Sequence, residues 1–141
     1  MSARDLDLFV AHGWRFHPEW QQVVDALDQT FGRQWRNFSL PWHDPAIQPS
    51  TPQGRELLEA SLRGQILPAR AILIPAALLR EGASSRVWVE FELAVGRELG
   101  IPSLLVDLNE CDGPSTSAPV PLHVARCDLM NLEMEIQSLL N

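Results

Sequence analysis

Residues 84–100, SSRVWVEFELAVGRELG, place one carboxylate where a helix should be apolar. At about 100° per residue, Glu92 lies about forty degrees from Trp88, inside the apolar stripe that this helix would bury. Glu90 and Arg97 fall on the opposite face, where charged residues are expected. The other apolar members of the stripe, within about sixty degrees of Trp88, are Phe91, Val95 and Leu99.

A carboxylate among buried apolar side chains is costly unless it is paired or used, and such perturbed groups tend to mark functional sites. Glu92 is therefore a candidate catalytic residue. The alternative is a glutamate at the edge of the stripe that reaches solvent or pairs with a structural arginine. Helical periodicity by itself favours neither interpretation.

Other side chains with useful chemistry lie near predicted strand ends and in a proline-rich loop. His12 can line a ligand pocket at the end of the first strand, or it can be a structural hydrogen-bonding residue. His43 and Asp44 can contact a ligand, or they can form a turn, since Asp before Pro favours turns. Trp14 and Trp42 can stack on an aromatic ring of a ligand, or simply bury apolar area.

Strands and helices that alternate along the chain would position these residues. Residues 41–52 contain four prolines and are predicted to be a loop, after which Ser50 or Thr51 can cap a helix. Alternation of this kind predicts a mainly parallel sheet in a doubly wound, flavodoxin-like α/β fold, with ligands beyond the carboxyl ends of the strands. The predicted strands are Leu6–Ala11, Arg36–Leu40, Ala71–Pro75, Ser103–Leu108 and Leu122–Arg126, and the predicted helices are His17–Phe31, 51–66, Val87–Leu99 and Leu129–Leu140.

Length and composition favour one domain over residues 1–141, with 45% hydrophobic residues to fill its core. The absence of a long apolar run or a basic, signal-like start predicts a cytoplasmic protein without a membrane partner. A net charge of −7, with arginine as the only basic residue besides histidine, argues against nucleic acid as a partner. Cys111 and Cys127 lack the number and spacing of a disulfide framework or metal site.

Missing motifs exclude several familiar α/β functions. The chain has neither G-x-G-x-x-G nor G-x-x-x-x-G-K-[ST], the two common phosphate-binding loops. It also lacks the G-x-S-x-G of a nucleophile elbow. A phosphoacceptor receiver domain needs acidic residues at the ends of strands one and three, where this chain has residues 11–13 (Ala-His-Gly) and 74–76 (Ile-Pro-Ala).

Four segments, in order from Leu8 to about Val106, resemble the TIR-like family that includes the Thoeris defence proteins. LFVAHGW resembles its first-strand signature, and WRNFSLPWHDP its aromatic-Ser-x-Pro followed by His-Asp-Pro. WVEFEL is similar to the TIR pattern in which a glutamate follows a tryptophan by four residues, and Gly-Ile-Pro before an apolar strand also fits. These segments are Leu8–Trp14, Trp35–Pro45, Trp88–Leu93 and Gly100–Pro102.

The resemblance implies a TIR fold, NAD as substrate rather than cofactor, and Glu92 as the catalytic glutamate beside the nicotinamide ribose. Cleavage of the nicotinamide–ribose bond develops positive charge on the ribose, which a fixed carboxylate stabilises. The product would be ADP-ribose or a cyclic isomer that signals to a separate effector protein, in antiphage defence. The resemblance also implies self-association, and NAD contacts from His12, Gly13, Trp14, Phe38, Ser39, Asp44, Ser84 and Trp88.

This sequence departs from the family pattern at the first strand and before Trp88. Serines usually surround the first-strand histidine, where this chain has Ala11 and Gly13, and the serine before the tryptophan is displaced to Ser84 or Ser85. A second interpretation is therefore a TIR-like recognition module that binds a nucleotide or a partner protein without turnover. A third is a nucleoside N-glycosidase or deoxyribosyltransferase-like enzyme, although this class lacks the matched second-strand motif.

Overall fold

The computed structural model describes residues 6–13, 17–39, 50–79, 86–107, 123–125 and 129–140. Within these residues, five strands form one sheet in the order β2-β1-β3-β4-β5, and all neighbouring strands are parallel. The predicted α/β class and parallel sheet are confirmed, and the strand order is compatible with the expected flavodoxin-like arrangement. The strands are β1 (Leu6–Val10), β2 (Trp35–Asn37), β3 (Ala71–Pro75), β4 (Ser103–Val106) and β5 (His123–Ala125), and the helices are α1 (Pro18–Phe31), α2 (Pro52–Ile66), α3 (Arg86–Leu99) and α4 (Leu129–Leu140).

Side chains that alternate along the central strands build a core on each face of the sheet. Leu8 and Val10 of β1 pack in one apolar cluster with residues of α1 and α4. Phe9 and Ala11 point to the other face and pack in a second cluster with residues of α2 and α3. Because successive strand residues face opposite sides, a strand covered on both faces is apolar throughout. The carboxyl edge of the sheet is thus the place where polar side chains can converge on a ligand.

The helix starts agree with the predicted proline and capping signals. Thr51 precedes α2, and its hydroxyl accepts a hydrogen bond from the Gly54 backbone N–H at 3.0 Å. Thr51 is therefore the cap of the two candidates, and Pro52 belongs to the helix rather than to the loop. Pro18 occupies the first position of α1, where its missing N–H costs nothing. The helix α3 begins one residue earlier than predicted, and α4 has the predicted bounds.

The strand β2 is shorter than predicted and is shifted toward the N-terminus. The prediction was Arg36–Leu40, whereas β2 begins at Trp35 and ends at Asn37. The Asn37 side-chain oxygen accepts hydrogen bonds from both the backbone N–H, at 2.9 Å, and the hydroxyl of Ser39. Asparagine side chains that bond locally in this way divert the backbone from a strand ladder.

The strands β1 and β4 end one and two residues earlier than predicted, whereas β3 has the predicted bounds. Ala11 lies just past β1, although its N–H still bonds the Leu73 carbonyl of β3 at 2.8 Å. The strand β4 ends at Val106 rather than Leu108, which lies outside the described residues, as do both predicted ends of β5. Two short 3-10 helices, Gly32–Gln34 and Ala76–Leu79, were not predicted.

A glycine lets α3 approach the sheet closely. A Cβ atom at Gly96 would collide with Cδ1 of Ile72 on β3 and would lie 3.5 Å from the Ile101 carbonyl oxygen. This close approach helps to place α3, which carries Glu92, directly over the central strand. None of the helices among the described residues is long and apolar enough to cross a membrane.

Candidate functional site

Glu92 of α3 is fully buried at the carboxyl edge of the sheet. Both of its carboxyl oxygens lie 3.2 Å from the backbone nitrogen of Gly13, which donates to them three residues after β1 ends. Glu92 does not reach solvent, and within the described parts of the chain no arginine pairs with it. The described residues therefore do not support the alternative interpretation, in which Glu92 reaches solvent or pairs with a structural arginine.

Gly13 supplies a backbone donor in a conformation that favours glycine. Its φ angle is 62°, in the left-handed region that costs other residues roughly 1–2 kcal/mol. This turn directs its N–H toward Glu92. Gly13 thus contacts the carboxyl group through its backbone.

Burial sets the protonation state of the Glu92 carboxyl. Removal from water raises its pKa from 4.5 to about 8, although hydrogen bonds from the backbone N–H groups of Gly13 and His12 oppose that rise. Desolvation disfavours the charged form, and two backbone donors do not compensate for the lost hydration. Glu92 is therefore mostly protonated at neutral pH in the ligand-free protein.

His12 is fully buried between β1 and α2, and its ring centroid lies 5.4 Å from that of Phe9. Its Nε2 lies 3.2 Å from Oε1 of Gln65. Burial lowers the pKa of the imidazole to about 4; the hydrogen bond with Gln65 opposes this shift, and the charge of His17 adds to it. Its Nδ1 lies 4.0 Å from Oε2 of Glu92, too far for a hydrogen bond. Since both groups are neutral at pH 7, they do not form an ion pair in the ligand-free protein.

Phe38 and Ser39 follow β2 and lie at the same edge of the sheet, beside the end of β1. The guanidinium of Arg36 lies 5.6 Å from the centre of the Phe38 ring. The Ser39 hydroxyl accepts a hydrogen bond from the indole N–H of Trp20 at 3.0 Å and donates to Asn37. Ser39 is buried, and its hydroxyl already ties β2 to α1.

Trp88 lies one helical turn before Glu92 in α3 and is half buried. The Phe91 ring packs edge-on against it, with centroids 5.8 Å apart. The Arg55 guanidinium of α2 lies 5.8 Å from the centre of the Trp88 ring. The Phe91 ring and the Arg55 guanidinium of α2 therefore both lie against the Trp88 indole.

The structure brings four of the predicted site residues to one edge of the sheet: His12, Gly13, Phe38 and Ser39. Glu92 joins them there through its hydrogen bonds with the backbone N–H of Gly13. Three further predicted contacts, Trp14, Asp44 and Ser84, lie outside the described residues, as do His43, Trp42 and Ser85.

Gln65 was not predicted, although it contacts His12 directly. The signal was available in α2, because Leu58, Leu62 and Ile66 form its buried stripe and Gln65 lies beside them at helical spacing. A polar residue at the edge of an apolar stripe is the same kind of signal that singled out Glu92.

This arrangement can hold a proton on a buried carboxyl and release it when positive charge arrives. A cation near Glu92 would favour the ionised form, and in a site without water the resulting attraction would be strong. In the described segments, no group of three or more histidine, cysteine or acidic side chains is placed to hold a metal ion.

In comparisons with protein-family models, with curated proteins and with solved structures, the chain matches none of them.

Proposed function

We propose that this chain is a TIR-like, flavodoxin-like enzyme that cleaves the nicotinamide–ribose bond of NAD, with Glu92 as its catalytic residue. The observation that carries the proposal is the burial of an ionisable carboxyl beyond the end of β1, without an arginine partner in the described residues. The carboxyl ends of the strands are where ligands bind in open α/β sheets. The strand order β2-β1-β3-β4-β5, which flavodoxin-like proteins share, supports the fold assignment.

The chemistry follows from the charge that develops during cleavage. The bond between the ribose C1′ and the pyridinium nitrogen breaks, and its electron pair stays on nitrogen, so nicotinamide leaves as a neutral molecule. The ribose becomes an oxocarbenium-like cation, which the ionised Glu92 carboxylate stabilises. Water then adds to C1′ and loses a proton to give ADP-ribose, or a group of the same molecule adds to give a cyclic isomer.

The resting protonation state of Glu92 is compatible with this role. NAD brings a positively charged pyridinium to the site, and a nearby positive charge lowers the pKa of a carboxyl group. The pKa of about 8 in the ligand-free protein would then fall on binding, and the proton would leave to solvent. We expect kcat/KM to rise with pH toward about 8, because that ratio reports on the free enzyme.

A recognition module without turnover is the second candidate, and the side chains near His12 favour it. Ala11 and Gly13 provide no hydroxyl groups beside the histidine, and the Ser39 hydroxyl is already bonded to Trp20 and Asn37. Such a module would bind a nucleotide at the same edge of the sheet and leave it intact.

Release of nicotinamide from NAD separates the two candidates. The purified protein is incubated with NAD, nicotinamide is quantified by chromatography, and the nucleotide product is identified by mass spectrometry. Release by the parent protein and its loss in Glu92→Gln support the enzyme. Saturable NAD binding without release of nicotinamide supports the module. If the protein neither binds NAD nor releases nicotinamide, both proposals are contradicted.

The wider role extends the same proposal. The resemblance to TIR-like defence proteins suggests that the ADP-ribose product acts as a diffusible signal for a separate effector. It also suggests that the active form is an assembly of several copies. A host that loses phage protection when Glu92 is changed to Gln, with unaltered protein levels, would support the defence role.

A further inference from the structure

The amide of Gln65 determines which ring nitrogen of His12 carries the hydrogen. In α2, Nε2 of Gln65 donates to the Ser61 hydroxyl at 3.1 Å, and this turns Oε1 toward the imidazole. An amide oxygen can only accept hydrogen bonds. With the amide oxygen on this side, the His12 Nε2, 3.2 Å away, is the nitrogen that carries the hydrogen.

The other ring nitrogen of His12 then faces Glu92 with a lone pair. Its Nδ1 is buried, lacks a hydrogen-bond partner among the described residues and lies 4.0 Å from Oε2 of Glu92. An acceptor nitrogen repels an ionised carboxylate and attracts a carboxyl O–H. A buried polar atom without a partner is costly, and a small inward movement of a protonated Glu92 would satisfy it.

We propose that Gln65 is a positioning residue that acts on Glu92 through His12. By holding His12 as the Nε2–H tautomer, Gln65 keeps Glu92 protonated until a cationic ligand enters the site. In the opposite tautomer, Nδ1–H would point at Glu92 and stabilise its ionised form. This N–H would also compete with a bound cation for the negative charge of the carboxylate. The effect on catalysis rests on the proposed cleavage of NAD, whereas the positioning itself does not.

The proton transfer that this scheme requires is simple. When the cation arrives, the O–H bond of Glu92 breaks, the proton leaves to solvent, and the electron pair stays on the carboxylate. His12 remains neutral, because burial and the charge of His17 lower its pKa to about 4. In the described parts of the chain, the titratable groups that act on this pair are His12 and Glu92 themselves and His17 ahead of α1.

Nuclear magnetic resonance of the ligand-free protein tests the positioning directly. Two-bond 1H–15N correlations give the tautomer of His12, assigned with His12→Ala, and the 13C shift of the Glu92 carboxyl carbon gives its titration midpoint, assigned with Glu92→Gln. We expect the Nε2–H tautomer in the parent protein. In Gln65→Leu, the Nδ1–H tautomer should appear, and the Glu92 midpoint should fall by about one pH unit or more.

The matched control is Gln65→Glu, which keeps an acceptor on a side chain of the same length and should keep the Nε2–H tautomer. An Nδ1–H tautomer in the parent protein would overturn the proposal, and this measurement decides even if Gln65→Leu fails to fold. A folded Gln65→Leu protein with unchanged tautomer and midpoint would overturn it as well.

Nicotinamide release, measured on the same samples, adds a functional readout. The pH profile of kcat/KM in Gln65→Leu should move toward acid by the same amount as the carboxyl midpoint. If the resonance results are as expected while no protein releases nicotinamide, the positioning is supported and the proposed NAD cleavage is contradicted.

Discussion

Glu92→Gln removes the charge of the buried carboxyl and keeps its shape. The amide oxygen can still accept the hydrogen bond that Gly13 donates at 3.2 Å. The amide nitrogen can turn toward Nδ1 of His12, which lies 4.0 Å from the carboxyl group and accepts hydrogen bonds as the Nε2–H tautomer. No cavity is created, and the second amide N–H, for which these groups offer no acceptor, should offset only part of the gain from removing the ionisation.

The size of that effect follows from the two pKa values of Glu92. In the unfolded chain the carboxyl ionises near 4.5, and in the folded chain it ionises near 8. At about 1.4 kcal/mol per pH unit, keeping the group protonated at pH 7 costs the folded state roughly 3 kcal/mol, rising to roughly 5 kcal/mol above pH 8. Glutamine avoids this cost, so the variant should unfold about 10 °C higher at neutral pH.

Turnover should change in the opposite direction. Loss of one preorganised charge beside the ribosyl cation should reduce kcat by about 100-fold or more. NAD affinity should fall much less, because the positive charge on ribose is greatest in the transition state. Chemical denaturation below, at and above neutral pH gives the stability, nicotinamide release gives kcat, and calorimetry gives the affinity.

The control variant is Glu90→Gln, two residues away on the same helix. Glu90 is partly exposed and forms an ion pair with Arg86, one helical turn earlier, at 2.9 Å. Loss of such a pair near the surface should lower the free energy of unfolding by less than about 0.5 kcal/mol. It should leave turnover unchanged. A Glu92→Gln protein that unfolds early at every pH and cleaves NAD at the parent rate per folded molecule would refute both the electrostatic argument and the catalytic assignment.

Four further outcomes are expected. The pKa of Glu92 is raised from 4.5 to about 8 in the folded protein, so the free energy of unfolding should fall as the pH rises toward 8. The pKa of His12 is lowered from 6.5 to about 4, so the free energy of unfolding should also fall as the pH drops below 6.5. Between pH 6.5 and 8 only the first effect operates, and denaturation should show a loss of about 2 kcal/mol in the parent protein and none in Glu92→Gln. Gly13→Ala should destabilise by about 1–2 kcal/mol in denaturation, because its φ is positive, and it should reduce nicotinamide release. Gly96→Ala should cost about 1–3 kcal/mol by collision with Ile72, and Ile72→Val in the same protein should recover part of that loss. If the enzyme acts as an assembly, its rate should rise more steeply than linearly with protein concentration, and light scattering should detect more than a monomer; a strictly proportional rate from a monomer would contradict self-association.

Most of the fold could be predicted because the apolar patterns and the residues that begin or end helices and strands indicate the same elements. The strand Ala71–Pro75 and the helix Leu129–Leu140 have the predicted bounds, and Thr51 was one of two candidate caps. The end of β2 could not be predicted from apolar patterning, since the Asn37 side chain bonds Ser39 and turns the chain. Strand ends of this kind depend on one local hydrogen bond rather than on a periodic pattern.

The candidate site was only partly predictable for a different reason. Glu92 was identified because helical periodicity places it inside an apolar stripe, and the structure confirms that it is buried. Its contacts with Gly13 and His12 depend on how α3 packs across the sheet, and no periodicity contains that information. Gln65 joins the site only because α2 lies beside the end of β1, although its place next to a buried stripe was visible in the sequence.

The free-energy cost of burying the Glu92 carboxyl supports its proposed catalytic role. A buried carboxyl that opposes folding by roughly 3 kcal/mol at pH 7 is a large burden for a domain whose total stability is on the order of 5–15 kcal/mol. The apolar clusters on both faces of the sheet offset that burden. Glutamine at this position would satisfy the Gly13 N–H without the ionisation cost, so stability alone does not account for glutamate. The proposed cleavage of a cationic N-glycosidic bond would account for a glutamate, because that reaction needs a carboxyl group that loses its proton and presents a negative charge at the edge of the sheet.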